Sequence, residues 1–298
     1  MTISIGLDIG GTKIAGAAFD SHGAMICQQS VPTPKDYDAF IKACASVVAG
    51  VELRSAPVER FGVCIAGMID QAQGAFFSVG ISCAREKAFR DDLAAATEQE
   101  VRIANDADSM ALAEAIDGAG KGYSTVLGLI IGTGIGSGFV VNQKIVSGPN
   151  GLVGEVGHLP LPYREESDGV PIECGCGQVG CIETTVAGSA LMRLYAAMTG
   201  KKADNPQIAT LARSGDEATL AVLDHYYEML AKAMVTVIHA YDPHIIVVSG
   251  GLNGMPDLYK KVPQKWGKYC IAKNPKTLFV PAVHGPVAGL RGAAGLWG

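Results

Sequence analysis

Clusters of basic residues are missing from this chain. Lysine and arginine never gather beyond pairs, and 24 of them stand against 29 acidic residues, a net charge of −5 over 298 residues. With no basic stripe to neutralise a phosphodiester backbone or an anionic bilayer, neither nucleic acid nor membrane is an expected partner. No leader is expected either: Met1-Thr2 runs directly into ISIGL, without a basic start, apolar stretch and small-residue cleavage site, and a cytoplasmic protein is predicted. The longest uncharged run, Tyr123 to Gln143, approaches the ~20 residues of a membrane span. It carries Gly128, Gly132, Gly134, Gly136 and Gly138, and so reads as strand, turn and strand.

Two common phosphate motifs are also absent. No G-x-x-x-x-G-K-[ST] occurs, and the glycines of 132 to 138 feed the strand FVVN, where a dinucleotide site needs a helix N-terminus. What is present instead is a set of glycine turns directly behind apolar strands: DIGGTK at 8–13, IIGTGIGSG at 130–138 and SGG at 249–251. Such turns let backbone N–H groups approach a phosphate because no Cβ blocks the way. Asp8, at the end of the first strand, is placed to hold a hydrated Mg2+. Two hairpins could grip a triphosphate from opposite sides, Gly10, Gly11, Thr12 and Lys13 from one, Gly132, Thr133 and Gly134 from the other.

With 48% hydrophobic residues the chain can fill the cores of two domains of about 150 residues each. ISIGLDIGGTKIAGAAFD predicts strand, turn and strand, and SHGAMICQQSV a third strand. A helix over Asp38 to Ala49, strands over Arg60 to Ala66 and Arg102 to Ala104, and a helix opened by Asn105-Asp106 complete a first α/β domain, 1–118 plus 287–298. The second, 119–286, repeats the strand, glycine turn and strand. It continues with helices over Glu183 to Thr199 and Asp216 to Tyr241, the latter with Leu220, Leu223, Tyr227, Leu230, Met234 and Ile238 at three- and four-residue steps, a core-facing stripe. A last helix is predicted over Val287 to Trp297.

Five of the eight cysteines are scattered among apolar neighbours and read as small buried hydrophobes. Cys174, Cys176 and Cys181 are clustered in CGCGQVGC, and with His158 as a fourth ligand they predict a closed, structural Zn2+ site. Phosphoryl transfer to a hydroxyl needs a carboxylate within hydrogen-bond reach. Asp106 is the candidate, although an Asx pair before an apolar helix is equally a cap.

DIGGTK, IGTGIGSG and SGG, with NDAD, GEVGH and CGCGQVGCIE between them, resemble the ROK family of sugar kinases from Ile5 through Arg291. The resemblance implies an α/β, actin-like ATPase (ribonuclease H-like) fold with ATP on the three glycine turns, Gly250 and Gly251 supplying the third. It implies that Asn105 binds the sugar and Asp106 is the catalytic base, and that Glu155, His158 and Glu183 contact the sugar. It is nearest to the branch acting on the 6-hydroxyl of N-acetyl-D-glucosamine, and a homodimer fits the resemblance. The chain departs from the pattern at Ala66-Gly67-Met68, where the family has a proline-glycine turn, at Gly80 in place of a sugar-binding Asn, and in lacking a Trp common in glucose kinases. Gly67 remains an expected sugar contact, and Ser78 or Ser82 is the residue to replace the lost hydrogen bond. Glucose and N-acetylmannosamine are the alternative substrates; a sugar-responsive repressor is disfavoured because its DNA-binding segment has no room ahead of Asp8 and the ATP turns stand intact.

Overall fold

The computed structural model describes residues 3–70, 75–77 and 80–298, so that Ser78 lies outside it. The chain opens with β1 (Ser4–Ile9), β2 (Lys13–Phe19), β3 (Met25–Pro32), α1 (Tyr37–Glu52), β4 (Arg60–Ile65), β5 (Met68–Asp70) and β6 (Ala75–Phe77). It continues with α2 (Phe89–Thr97), β7 (Glu100–Asn105), α3 (Asp106–Ile116), β8 (Thr125–Ile131), β9 (Ile135–Val141) and β10 (Lys144–Ile145). A helical stretch follows, α4 (Glu183–Val186), α5 (Gly188–Thr199), α6 (Asn205–Arg213) and α7 (Glu217–Tyr241). The chain ends through β11 (Ile245–Ser249), α8 (Leu258–Trp266), β12 (Leu278–Pro281) and α9 (Ala288–Ala294). No helix among the described residues is long and apolar enough to cross a membrane.

The fold separates into two compact units. One is Met1–Ser124 with Gly138–Val153 and Val283–Gly298; the other is Thr125–Ser137 with Gly154–Ala282. In the first, a five-stranded sheet of order β3-β2-β1-β4-β7 is antiparallel on its β3-β2-β1 side and parallel from β1 through β4 to β7. Alternate residues of its strands bury Leu7, Ile14, Phe61 and Val63 against Phe40, Val47 and Val51 of α1 and against Phe89 and Leu93. α1 starts where it does because the Asp36 carboxylate accepts the Ala39 N–H at 2.9 Å, satisfying one of the orphan donors of the first turn.

Helix α9 covers the opposite face, packing Leu290 and Ala294 on Ala15, Ala17 and Phe19. Its approach is so close that a Cβ at Gly62 would lie 1.8 Å from the Ala293 carbonyl oxygen, and one at Gly292 1.8 Å from that of Ser109 in α3. Both contacts are backbone to side chain position, with no flexible end to move aside. Gly292→Ala should therefore destabilise the protein by about 1–3 kcal/mol, the usual penalty for overpacking. Urea unfolding of the purified protein measures it, and an unchanged midpoint would refute this packing.

The second sheet has the order β10-β9-β8-β11-β12, with β8, β11 and β12 parallel. α7 starts at the Asp216 cap, which accepts the Thr219 N–H at 2.8 Å, and it buries the expected stripe Leu223, Tyr227, Leu230, Met234 and Ile238. Burial goes well beyond that stripe, to Val222, Tyr226, Met229 and Val235, so α7 is a central helix covered on several sides. Two expected helices are corrected. Glu183 to Thr199 is broken at Ala187, whose extended ψ of 168° separates α4 from α5. The break lets the Gly188 N–H donate to the Gly132 carbonyl at 2.8 Å. The last helix is α-helical only over Ala288–Ala294, with a tighter turn at each end.

Candidate active site and metal centre

In the first unit three parallel strands end level with one another: Ile9 of β1 pairs with Ile65 of β4, and Ile65 with Asn105 of β7. The carboxyl edge of such a sheet is where open α/β folds gather ligands. Strand register alone thus brings Asp8 and the Asn105-Asp106 pair to one edge. The cap of α3 is Asn105, whose Oδ1 accepts the Asp108 N–H at 2.6 Å, and Asp106 is the first helical residue. Capping is therefore carried by Asn105 and not by Asp106. Asp106 remains exposed, yet protein crowds its carboxyl closely enough to push the pKa above the ordinary 3.8, with N–H groups at the helix start opposing part of the rise.

Asp8 is half-buried and is raised as well. Burial is the largest cause; the Cys64 thiol hydrogen bond lowers it, the neighbouring Asp106 charge raises it, and Lys13 lowers it. Two carboxylates at the same sheet edge, on β1 and just after β7 with β4 between them, both with raised pKa values, are a donor set that a divalent cation would relieve, which fits Mg2+. The turn beside them is built by the Gly10 N–H donating to the Lys13 carbonyl at 2.9 Å and pinned by Thr33, whose hydroxyl donates to the Gly10 carbonyl at 2.7 Å. Gly11, Thr12 and Lys13 are left exposed. A Cβ at Gly11 would stand 2.8 Å from the Gly80 carbonyl oxygen, so the residue that replaces the family Asn rests its backbone on this turn. Gly67 has a φ of +136°, a conformation that favours glycine.

In the second unit the turns after β8 and β11 are neighbours, because Ile130 pairs with Ser249. Gly132 donates to the Gly134 carbonyl at 3.0 Å, and the Thr133 carbonyl accepts the Ser189 hydroxyl at 3.1 Å. Gly250, at φ +92°, lets its backbone approach the Ile131 carbonyl, to which a Cβ would be 2.5 Å away. Positions where a Cβ would sit on Gly132 and Gly251 have no atom within 4 Å, an open cradle of the kind a phosphate uses.

The same unit gathers His158, Cys174, Cys176 and Cys181, whose ligand atoms all lie within 4.8 Å of one another. Cys176 and Cys181 sulfurs are 3.7 Å apart, and Cys174 Sγ is 3.5 Å from His158 Nδ1. A tetrahedral Zn2+ with Zn–S of about 2.3 Å and Zn–N of about 2.0 Å has edges of roughly 3.8 and 3.5 Å, so the donor set fits that ion. Burial pushes the Cys174 thiol up to about 12 and also raises Cys181, while the Gln178 N–H lowers Cys176. Metal uptake must then release protons from the buried thiols. Glu183 borders the cluster: its Oε1 accepts the Cys174 thiol at 2.8 Å and lies 3.9 Å from His158 Nδ1, and its Oε2 accepts the Ile135 N–H at 3.4 Å just after the glycine turn. Glu155 lies 3.9 Å from His158 on the other ring nitrogen.

The structure thus brings Asp8, Gly10 to Lys13, Asn105 and Asp106 together in one unit, and Gly132 to Gly134, Glu155, His158, Glu183 and Gly250-Gly251 in the other. Sequence reading missed Gly188, whose Cβ would lie 2.8 Å from the Gly132 carbonyl oxygen. It also missed Gly289, where a Cβ would be 2.8 Å from Asp8 Oδ2 and 3.1 Å from Cys64 Sγ. An isolated glycine at the start or inside of a helix was the signal available.

Two α/β units with mixed five-stranded sheets and glycine turns at their strand ends define an actin-like ATPase fold. The chain belongs to the ROK family, whose sequence profile matches residues 4–298. It is 35% identical over 294 residues to an N-acetyl-D-glucosamine kinase from Escherichia coli, covering 97% of each chain. A ROK hexokinase from Thermus thermophilus superimposes with a TM-score of 0.87 at 30% identity, covering 99% of this chain and 97% of that one. A ROK family glucokinase from Streptomyces griseus, solved with glucose and AMPPNP, does so with a TM-score of 0.76 at 28% identity over 99% of each.

Proposed function

We propose that this ATP-dependent sugar kinase transfers the γ-phosphoryl group of ATP to the 6-hydroxyl of N-acetyl-D-glucosamine. The observation that carries the reading is Asp106: an exposed carboxylate with a raised pKa, fixed at a strand-to-helix junction by a separate cap. Its role is to accept the hydroxyl proton as the oxygen attacks phosphorus. Asn105, with Oδ1 spent on the cap, offers its amide N–H groups to a sugar oxygen. Glu155 and Glu183 supply acceptors for the remaining hydroxyls and His158, with Nδ1 turned to the cysteine cluster, offers its Nε2–H as a donor, with Gly67 and Ser78 completing the contacts. The turns at Gly10, Gly11, Thr12 and Lys13, at Gly132, Thr133 and Gly134, and at Gly250 and Gly251 hold the nucleotide through backbone N–H groups. Asp8 anchors Mg2+, which neutralises phosphate charge when bound. Zn2+ on His158, Cys174, Cys176 and Cys181 is structural, since four protein ligands leave no open position. A cytoplasmic enzyme, acting as a homodimer on free sugar, accords with this reading.

The choice of N-acetyl-D-glucosamine is supported by the Escherichia coli relative, which matches nearly end to end. Glucose is the second reading, favoured by the Streptomyces structure, a glucokinase solved with glucose. Coupled ADP release with ATP and Mg2+ over N-acetylglucosamine, glucose, N-acetylmannosamine, glucosamine and fructose separates them. The expected result is a kcat/KM at least ten-fold higher for N-acetylglucosamine, about 1.4 kcal/mol of transition-state discrimination. A preference for glucose would move the substrate and keep the chemistry; no ADP release with any sugar would remove the kinase itself.

A further inference from the structure

Four cations of the first unit meet away from the turns described above. Arg60 at the start of β4, Arg102 in β7 and Lys144 at the start of β10 line one cavity of about 640 Å³, together with Arg90 and Trp297. The Arg102 guanidinium lies 4.0 Å from the centre of the Trp297 ring and that of Arg60 5.0 Å from it. Two guanidinium groups thus share one indole, closer to each other than the ~10 Å over which 0.1 M salt screens charge. Arg90 is held by Asp91 at 2.9 Å. Among the described residues, Arg60, Arg102 and Lys144 have no carboxylate in ion-pair contact, and one acid, Asp108, shares the lining. In a chain of net charge −5, like charges gathered around a cavity without paired acids are a demand for an anion.

We propose that this cavity is a binding site for a phosphate group, either free or carried as the monoester of a sugar. The planar forks of two arginines match the paired oxygens of a phosphate, and Lys144 adds a point charge to the same cavity. Ala104 and Asp108, which also line the cavity, stand two residues to either side of Asp106. An occupant therefore borders the strand-to-helix junction on which Asp106 is mounted.

The test uses the full chain with saturating N-acetylglucosamine present, so that sugar-phosphate binding at the reaction centre is suppressed. Inorganic phosphate and glucose 6-phosphate are titrated separately at ionic strength held constant with sodium chloride, followed by calorimetry and by tryptophan fluorescence. Trp297 is the responsive reporter, since the chain's other tryptophan, Trp266, is buried at 1% exposure. A saturable signal is expected, weakened at least ten-fold by Arg102→Gln, which keeps a donor for the Leu296 carbonyl that Arg102 holds at 2.8 Å. Lys144→Gln, on an exposed side chain, should weaken it several-fold and leaves the fold intact if Arg102→Gln does not. Tighter binding of the sugar ester than of phosphate identifies the ester as the source; equal binding identifies free phosphate. The proposal fails if no saturation occurs, if sulfate and chloride give the same signal, or if both variants bind as the parent does. Turnover plays no part in these readouts, so their failure leaves the kinase reading standing.

Discussion

Asp106→Asn should lower kcat by ~10² or more while sugar affinity stays within a few fold, the scale expected when a general base is lost. The amide matches the carboxylate in shape and keeps a hydrogen-bonding oxygen, and the cap on α3 is made by Asn105, so the helix start survives the change. A drop in kcat without a matching rise in KM is the signature of an interaction made in the transition state. Turnover equal to the parent's would sink the assignment. The raised pKa of Asp106 adds a pH arm: only the ionised form accepts a proton, so the acid limb of kcat/KM lies above the ordinary aspartate value of 3.8. Stability runs the other way. A carboxyl whose folded pKa is raised contributes stability that is present below its unfolded pKa and lost as pH rises through the folded one, so at neutral pH the ionised group is held against the fold's preference. Asp106→Asn is therefore expected to be at least as stable as the parent near pH 7, a separation of function from stability that thermal unfolding checks.

Cys176→Ser is expected to remove bound zinc altogether, from about one ion per chain to none by elemental analysis, and to lower the melting temperature by about 6–12 °C. That range is what ~3 kcal/mol gives for a unit of this size. The position makes the test selective. Cys176 is exposed, so in a metal-free protein exchange of sulfur for oxygen would fall within the roughly ±0.5 kcal/mol of an ordinary surface substitution. A large loss of stability can then only come from the ion. Cys174→Ser would be ambiguous by comparison, because Cys174 is buried and donates to Glu183. A folded, zinc-free and fully active Cys176→Ser protein would show that the cluster has no structural role.

What was legible in the sequence was local. Apolar runs ended by Gly-Gly or Gly-Thr marked β1, β8 and β11, because a strand that stops at a glycine turn writes both features into adjacent residues. The Cys-x-Cys-x4-Cys spacing and His158 were brought together as expected, within 4.8 Å. Elements with weak periodicity were passed over: β12 has four residues, α8 carries Pro263 inside it, and α2 and α6 are nine residues each. The predicted helix from Glu183 ran through Ala187 because nothing in its neighbours forbids a helix there; the break is imposed by a carbonyl at Gly132, more than fifty positions away. Gly289 was invisible for the same reason. Its need for a bare Cα is set by Asp8, on a strand at the far end of the sequence.

That distance between β1 and α9 bears on the order in which the chain can fold during synthesis. β1 and β4 are made first, yet the carbonyls that pack on Gly6 and Gly62 belong to Leu290 and Ala293. One face of the first unit thus stays uncovered until its final segment, Val283–Gly298, leaves the ribosome, whereas the second unit is already fully translated at Ala282. The nascent protein carries an open apolar sheet face, Ala15, Ala17 and Phe19, while the whole second unit is being made. Removal of Val283–Gly298 should for this reason yield an insoluble product, which sedimentation of the expressed protein checks.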